Sequence, residues 1–237
     1  MEFIFVFIFG VIWGSFGGVL IYRIPKNMSL LMPFSFCELC GKNIAWKDKI
    51  PILSYLLLSG KCRWCQRNIS FWCCLDEIFG GLFALFSFYF YGIYGLFCFF
   101  LCLFFYILCR IDWDFLMIPN ALNFLTLFLG VGCGVVSFRF DIIEVLHDGL
   151  LLIGVASFLR LFLESLLDKE VMGEGDIIVF GTLGAALGMY HAFVAIFISS
   201  LLALIFMIFK RMGKAPFVPF LFLGFLWVFA VRNMEIF

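Results

Sequence analysis

Long apolar runs, interrupted only by short polar pieces, recur along the whole chain, and they decide what it can fold into. The first is MEFIFVFIFGVIWGSFGGVLIY, and FCFFLCLFFYILC lies inside another. About 20 such residues cross the roughly 30 Å hydrocarbon core of a bilayer. Within lipid every backbone N–H and C=O must find its partner inside the protein, so runs of this kind become helices. Composition agrees: of 237 residues 65% are apolar and 14% charged, where a soluble domain carries about 25% charged residues. The expected fold class is all-α, a polytopic membrane protein in contact with the lipid bilayer. The net charge is zero, so no basic surplus is available for a nucleic-acid partner.

Cutting the apolar runs at charges and at Gly and Pro breaks gives about eight transmembrane helices. The first covers 1–22 and the second Phe71–Tyr91, with a turn at Gly92–Gly95. The third runs to Ile111 and the fourth covers Ala121–Phe138, with a loop at Arg139–Asp141. The fifth covers Val145–Leu167, followed by the polar break DKEVMGEGD that contains Glu170. The sixth starts near Asp176, the seventh covers Ala192–Phe209, and the eighth Phe217–Val231. Three parts are expected: a first helix (1–22), a polar loop (23–70) and the remaining helices (71–237).

That loop holds eight of the 16 Lys and Arg, from Arg23 to Arg67, opposed only by Glu38 and Asp48. The positive-inside rule puts such a segment in the cytosol. The N-terminal run has no basic residue before it, so it is expected to stay as a membrane helix and not to be cleaved as a signal. Alternating direction from there, Asp112, Asp114 and Asp176 all fall on the cytosolic side. So do Lys210, Arg211 and Lys214, which the same rule requires independently.

Carboxylates at membrane depth cost several kcal/mol unless a wet cavity or a partner receives them, which makes them functional candidates. Asp112 follows the third helix and Asp176 opens the sixth, inside GEGD. Two carboxylates held together cannot both ionise easily, so one keeps a proton. One can then take a proton from water while the other protonates a leaving amine, as in aspartic proteases. Gly173 and Gly175 leave room for a substrate backbone. Asp114, two residues beyond Asp112, points elsewhere on a helix and is expected to support. Glu77, at the entry of the second helix, is a candidate for lining the same cavity. The plainer alternative leaves all these acids as solvated helix ends in the headgroup zone.

CELCG and CRWCQ bring Cys37, Cys40, Cys62 and Cys65 into a CxxC…CxxC pattern with 21 residues between the pairs. The spacing suits tetrahedral zinc held by four thiolates. A pair of redox disulfides is the rival, but a cytosolic loop is the wrong compartment for it. Cys73, Cys74, Cys98, Cys102, Cys109 and Cys133 lie in or near spans and read as small apolar residues. His147 and His191 are expected at the outer helix ends, without a metal-binding partner.

The order of these motifs resembles the type IV prepilin leader peptidase family. The likeness rests on GSFGGVLIYRIP (Gly14–Pro25), the four loop cysteines, IPILSYLLLSGKC, Glu77, IDWDFLMIP and the GxGD of Gly173–Asp176. Gly18, Ile178 and Val218 stand where that family has Asn, Lys and Gly, and Cys73–Cys74 where it has Tyr-Pro. The resemblance implies an aspartic endopeptidase of the bacterial inner membrane, with Asp112 and Asp176 catalytic. Its substrates would be prepilins or pseudopilins, serving type IV pili, type II secretion or DNA uptake. It also implies N-methylation of the new N-terminus from S-adenosylmethionine, beside a zinc ion. A proton-coupled transporter and a non-enzymatic zinc-loop scaffold are the rivals. The sequence carries no signal for an oligomeric state.

Overall fold

The computed structural model describes residues 1–30, 32, 35–37, 39–138, 140–169, 171–210 and 215–235, with side chains up to residue 232. The expectations placed on Glu38, Arg139, Glu170, Arg211 and Lys214 lie outside the described residues. All long elements are helices, and no strand occurs among the described residues, only two isolated bridges in the polar loop. The chain divides into two compact units, Met1–Tyr89 and Phe90–Phe237.

In the first unit α1 (Glu2–Arg23) and α3 (Phe71–Tyr91) flank the polar loop, which contains a 3-10 turn at Trp46–Lys49 and a short helix α2 (Leu53–Leu57). Small residues let α1 and α3 meet backbone to backbone. A Cβ on Gly10 would collide with the Gly80 carbonyl, and one on Gly14 would lie 2.5 Å from the Asp76 carbonyl and 2.9 Å from the Glu77 Cα. With little hydrophobic drive between helices in lipid, close approach of this kind is what packs them. It also sets Ser15 of α1 opposite Glu77 of α3.

In the second unit a 3-10 turn at Gly92–Gly95, the turn expected there, leads into α4 (Leu96–Phe115). Then come α5 (Asn120–Gly132), which widens into a π-type turn at Cys133–Ser137, α6 (Ile142–Leu167), α7 (Glu174–Leu187), α8 (Met189–Lys210) and α9 (Val218–Glu235). α4 is the centre of this unit: Cys98, Leu101, Leu103, Ile107, Leu108 and Ile111 are all buried. Phe105 packs on Phe222 and Phe225 of α9, with ring centroids 5.3 and 5.6 Å apart. α6 instead exposes Leu150, Phe158 and Leu161, an apolar surface suited to lipid.

Among the described residues, five stretches are long and apolar enough to cross a membrane: Glu2–Arg23, Phe71–Phe115, Asn120–Ser137, Ile142–Leu167 and Met189–Lys210. The second is 45 residues long, about twice what one bilayer needs, and holds both α3 and α4. α7, with 14 residues, is shorter than such a span, and the apolar part of α9, Val218–Arg232, is shorter too. The chain is thus a multi-pass membrane protein whose helices lie where the apolar runs placed them, with five span-length apolar stretches among the described residues, one of them holding two helices.

Two expectations need correction. Cys98 and Cys133, read as small apolar residues, form a disulfide that joins the start of α4 to the end of α5. His147, expected to stand alone, has its Nδ1 3.0 Å from Asp148 Oδ1. The other oxygen of Asp148 accepts the Met189 N–H at 2.9 Å, so this carboxylate also caps α8.

Candidate active site and metal centre

Asp112 lies in the last turn of α4, inside the helix and not in the break after it. The helix stops only at Leu116, whose φ of 52° is left-handed and whose N–H closes on the Asp112 carbonyl at 2.9 Å. The Asp112 side chain is buried, and its Oδ2 accepts the N–H of Val218, the first residue of α9, at 3.1 Å. A carboxylate is favoured at a helix N-terminus, where unpaired N–H groups and the helix dipole meet it. Sequence reasoning missed Val218; the prolines on either side of it, Pro216 and Pro219, were the available sign of a helix start.

Asp176 is in the first turn of α7, which begins after Gly173. Its N–H donates to the Gly173 carbonyl at 3.2 Å. A Cβ on Gly173 would come within 3.2 Å of Asp176 Oδ2. At Gly175 the constraint is harder, because a Cβ would sit 2.7 Å from Ile118 Cδ1 and 2.8 Å from its Cβ. Buried Asn123 of α5 donates from Nδ2 to the Gly175 carbonyl at 2.8 Å. α5 and the loop before it thus fix the mouth of α7 from two sides. The helix ends that carry Asp112 and Asp176 belong to α4 and α7, and α5 packs against both of these helices. Asp114 belongs to a different neighbourhood: it is 3.5 Å from Arg110 and its side chain is 40% exposed.

Glu77 is placed in the first unit. Its Oε1 accepts the Ser15 hydroxyl at 2.8 Å and its Oε2 the Ile52 N–H at 2.6 Å. Ile52 has φ 61° and ψ −53°, and the Leu53 N–H folds back onto the Pro51 carbonyl at 2.6 Å. This is a tight three-residue turn that a β-branched residue adopts only under strain. Glu77 therefore ties α1, α3 and a strained corner of the loop to one carboxylate. Glu77→Ala should lower the stability of the purified protein by about 1–3 kcal/mol, because it leaves the Ile52 N–H unpaired. Glu77→Asp should recover little, since the shorter side chain cannot reach both partners. A thermal unfolding series on the three proteins measures it.

The four loop cysteines converge. Their Sγ atoms all lie within 4.8 Å of one another, and those of Cys37 and Cys65 are 3.9 Å apart. Four sulfurs about 2.3 Å from one zinc ion stand about 3.8 Å from each other, so the donor set fits that metal in number, type and spacing. The two knuckles repeat one pattern. Cys37 N–H bonds to Lys42 O and Gly41 N–H to Cys37 O; Cys62 N–H bonds to Arg67 O and Gln66 N–H to Cys62 O, all at 2.8–3.0 Å. Gly41 and Gln66 both take positive φ, 68° and 55°. Backbone N–H groups of Cys65 and Trp64 aimed at the Cys62 sulfur bring its thiol down to about 7, toward the thiolate that binds metal.

Comparison with known proteins covers both units. Residues 8–91 match the bacterial peptidase A24 N-terminal domain and residues 98–208 the type IV leader peptidase family. A prepilin leader peptidase/N-methyltransferase of Vibrio cholerae is 30% identical over 99% of this chain and 100% of its own length. One from Neisseria gonorrhoeae is 32% identical over 90% of this chain and 84% of its own. One from Bacillus subtilis is 30% identical over 91% and 87%. No solved structure matches the chain.

Proposed function

The chain belongs to the type IV leader peptidase family, and from that premise we propose that it cleaves the leader peptides of prepilins or pseudopilins at the cytosolic face of the bacterial inner membrane and N-methylates the new N-terminus. The observation that supports this reading is the placement of Asp112 in the last turn of α4 and of Asp176 in the first turn of α7, two helices that both pack against α5. Brought together, the two share a proton, so they hold an acid and a base at once. The ionised carboxylate removes a proton from water, whose oxygen attacks the scissile carbonyl. The protonated carboxyl then gives its proton to the leaving amine as the C–N bond breaks. Gly173 and Gly175 let the substrate backbone approach, and Asn123 holds the strand of chain that carries Asp176. The basic loop of the first unit supports the cytosolic assignment through the positive-inside rule.

Zinc, held by Cys37, Cys40, Cys62 and Cys65, supplies loop structure: a polar segment of this size has little core of its own. S-adenosylmethionine is the methyl donor in this reading. Once bound, it would supply the methyl group for the new N-terminal amine. The family's Asn is Gly18 here.

The decisive experiment supplies a prepilin to membranes that contain this protein and weighs the product. A mature subunit heavier by one methyl group supports both activities, a cleaved but unmodified subunit supports the peptidase alone, and an uncut prepilin removes the proposal. A second expectation concerns Gly175. Gly175→Ala should slow cleavage on the order of tenfold or more, by displacing Asp176 away from Ile118. Adding Ile118→Ala should restore part of it. Cleavage rates of the two proteins at equal membrane level measure the effect.

A further inference from the structure

Inside the polar loop, residues 50–58 (IPILSYLLL) run for nine positions without a charge, between Lys47 and Lys49 on one side and Lys61 and Arg63 on the other. The run is too short to cross a bilayer. Nor does it build a core: Ile50, Leu53, Leu56 and Leu57 are exposed, Leu57 to 83%, and so is Trp46 just before them. We infer that this segment is a shallow membrane insert. Its leucines enter the acyl chains beside α1 and α3, and the lysines at its two ends meet anionic lipid headgroups.

Glu77 sets the depth of the segment, because it takes the Ile52 N–H at 2.6 Å and the Ser15 hydroxyl at 2.8 Å. Glu77 is six residues past Phe71, the first residue of α3, and Ser15 is eight residues before Arg23, the last of α1. At about 1.5 Å per residue these are roughly 9 and 12 Å along the two helices. α1 and α3 run antiparallel, with Gly10 against Gly80 and Gly14 against Asp76, so both distances are measured inward from one face. Ile52 thus lies about 10 Å below the helix ends, the depth at which interfacial segments meet the boundary of headgroups and acyl chains. α1 turns Ile8, Ile12 and Phe16 outward, so the leucines of α2 continue a surface already suited to lipid. The chain then climbs back: the Tyr55 hydroxyl donates to the Ile69 carbonyl at 3.4 Å, and its ring stands 6.3 Å from that of Phe71, at the start of α3. Positive φ at Ser59 and Gly60, 51° and 67°, returns it to Lys61. Backbone at this depth has to be satisfied within the protein. The N–H groups of Leu53, Ser54, Leu56 and Leu58 bond to carbonyls of the segment itself at 2.6–3.0 Å, and that of Ile52 goes to the Glu77 carboxylate. Lys47, Lys49 and Lys61 are exposed, and side chains of this length reach the headgroup layer with their charge.

The test uses the full chain with its zinc bound, in nanodiscs of phosphatidylcholine and phosphatidylglycerol whose acyl chains carry a photoreactive diazirine. After irradiation, lipid adducts are mapped by proteolysis and mass spectrometry. Adducts should form on Leu53, Leu56 or Leu57 as well as on α1, and not on the knuckle turns at Lys42 and Gln66. Leu56→Asp combined with Leu57→Asp should cut adducts on the segment on the order of tenfold or more, with the zinc content unchanged. If that variant loses zinc, the map of the parent chain decides by itself. A parent chain labelled on α1 but not on residues 50–58 would overturn the insertion, and so would segment labelling that the double variant leaves intact while it keeps its zinc. Phosphatidylglycerol should be enriched several-fold among the segment adducts, and Lys47→Gln with Lys49→Gln should remove that excess. Equal labelling by the two lipids would overturn the headgroup contact. Loss of the segment adducts when a prepilin is added would give this face to the substrate and overturn lipid as its occupant.

Discussion

Asp112→Asn and Asp176→Asn should each cut leader cleavage by on the order of 10²–10⁴-fold, the range a positioned acid or base contributes. The amide is isosteric, so α4 and α7 should keep their ends and the protein should remain in the membrane at normal levels. In the first variant the contact with the Val218 N–H, which Asp112 Oδ2 now accepts, survives only if the new amide oxygen faces α9. The lost charge weakens that contact either way. Asp114→Asn is the control. It removes an ion pair with Arg110 whose acid is 40% exposed, and such pairs contribute about 0–1 kcal/mol. Substantial cleavage should persist in that variant. Rates from a prepilin assay, normalised to membrane level, decide the matter: near-normal cleavage by either of the first two variants would sink the aspartic mechanism.

The purified protein should hold a single zinc ion per chain, and Cys37→Ser combined with Cys62→Ser should release it. The two changes take one ligand from each knuckle, so neither half-site survives. Structural zinc is worth about 10–16 kcal/mol to small sites of this type, far more than the other contacts of the loop. With the ion gone, the paired turns at Lys42 and Arg67 have nothing to hold them together, and limited proteolysis should cut between residues 37 and 65. Metal analysis and a protease time course measure this. A zinc-free preparation whose four thiols are oxidised inside the cell would support the disulfide alternative.

Helix positions, the knuckle spacing and the positions of the two aspartates at helix ends were legible in the sequence because each is a local signal. Apolar length gives a span, CxxC gives a metal half-site, and GxGD marks a helix mouth. The end of the third helix was read too early. Asp112 and Asp114 break hydropathy, whereas the helix continues to Phe115 and ends where Leu116 takes a left-handed turn, a conformation that leucine does not announce. The partners of these residues were not legible. Val218 meets Asp112 across 106 positions and Asn123 meets Gly175 across 52, and no spacing rule connects them. Cys98 and Cys133 looked like filling because a cysteine among phenylalanines has no pattern to distinguish it from alanine. Glu77 was noticed as an acid, but its two hydrogen-bond partners lie on other elements.

The placement of Glu77 also joins two equilibria that would otherwise be independent. One of its oxygens reads the packing of α1 on α3 through Ser15, and the other reads the folded state of the loop through Ile52. Whatever free energy the ordered loop lends to the helix pair, the helix pair returns to the ordered loop, because linkage is reciprocal. A chelator should therefore loosen α1 from α3 by the same factor by which wedging the helices apart, for instance with Gly14→Leu, weakens the hold of the loop on its metal. Zinc affinity becomes a gauge of how two helices sit in the bilayer.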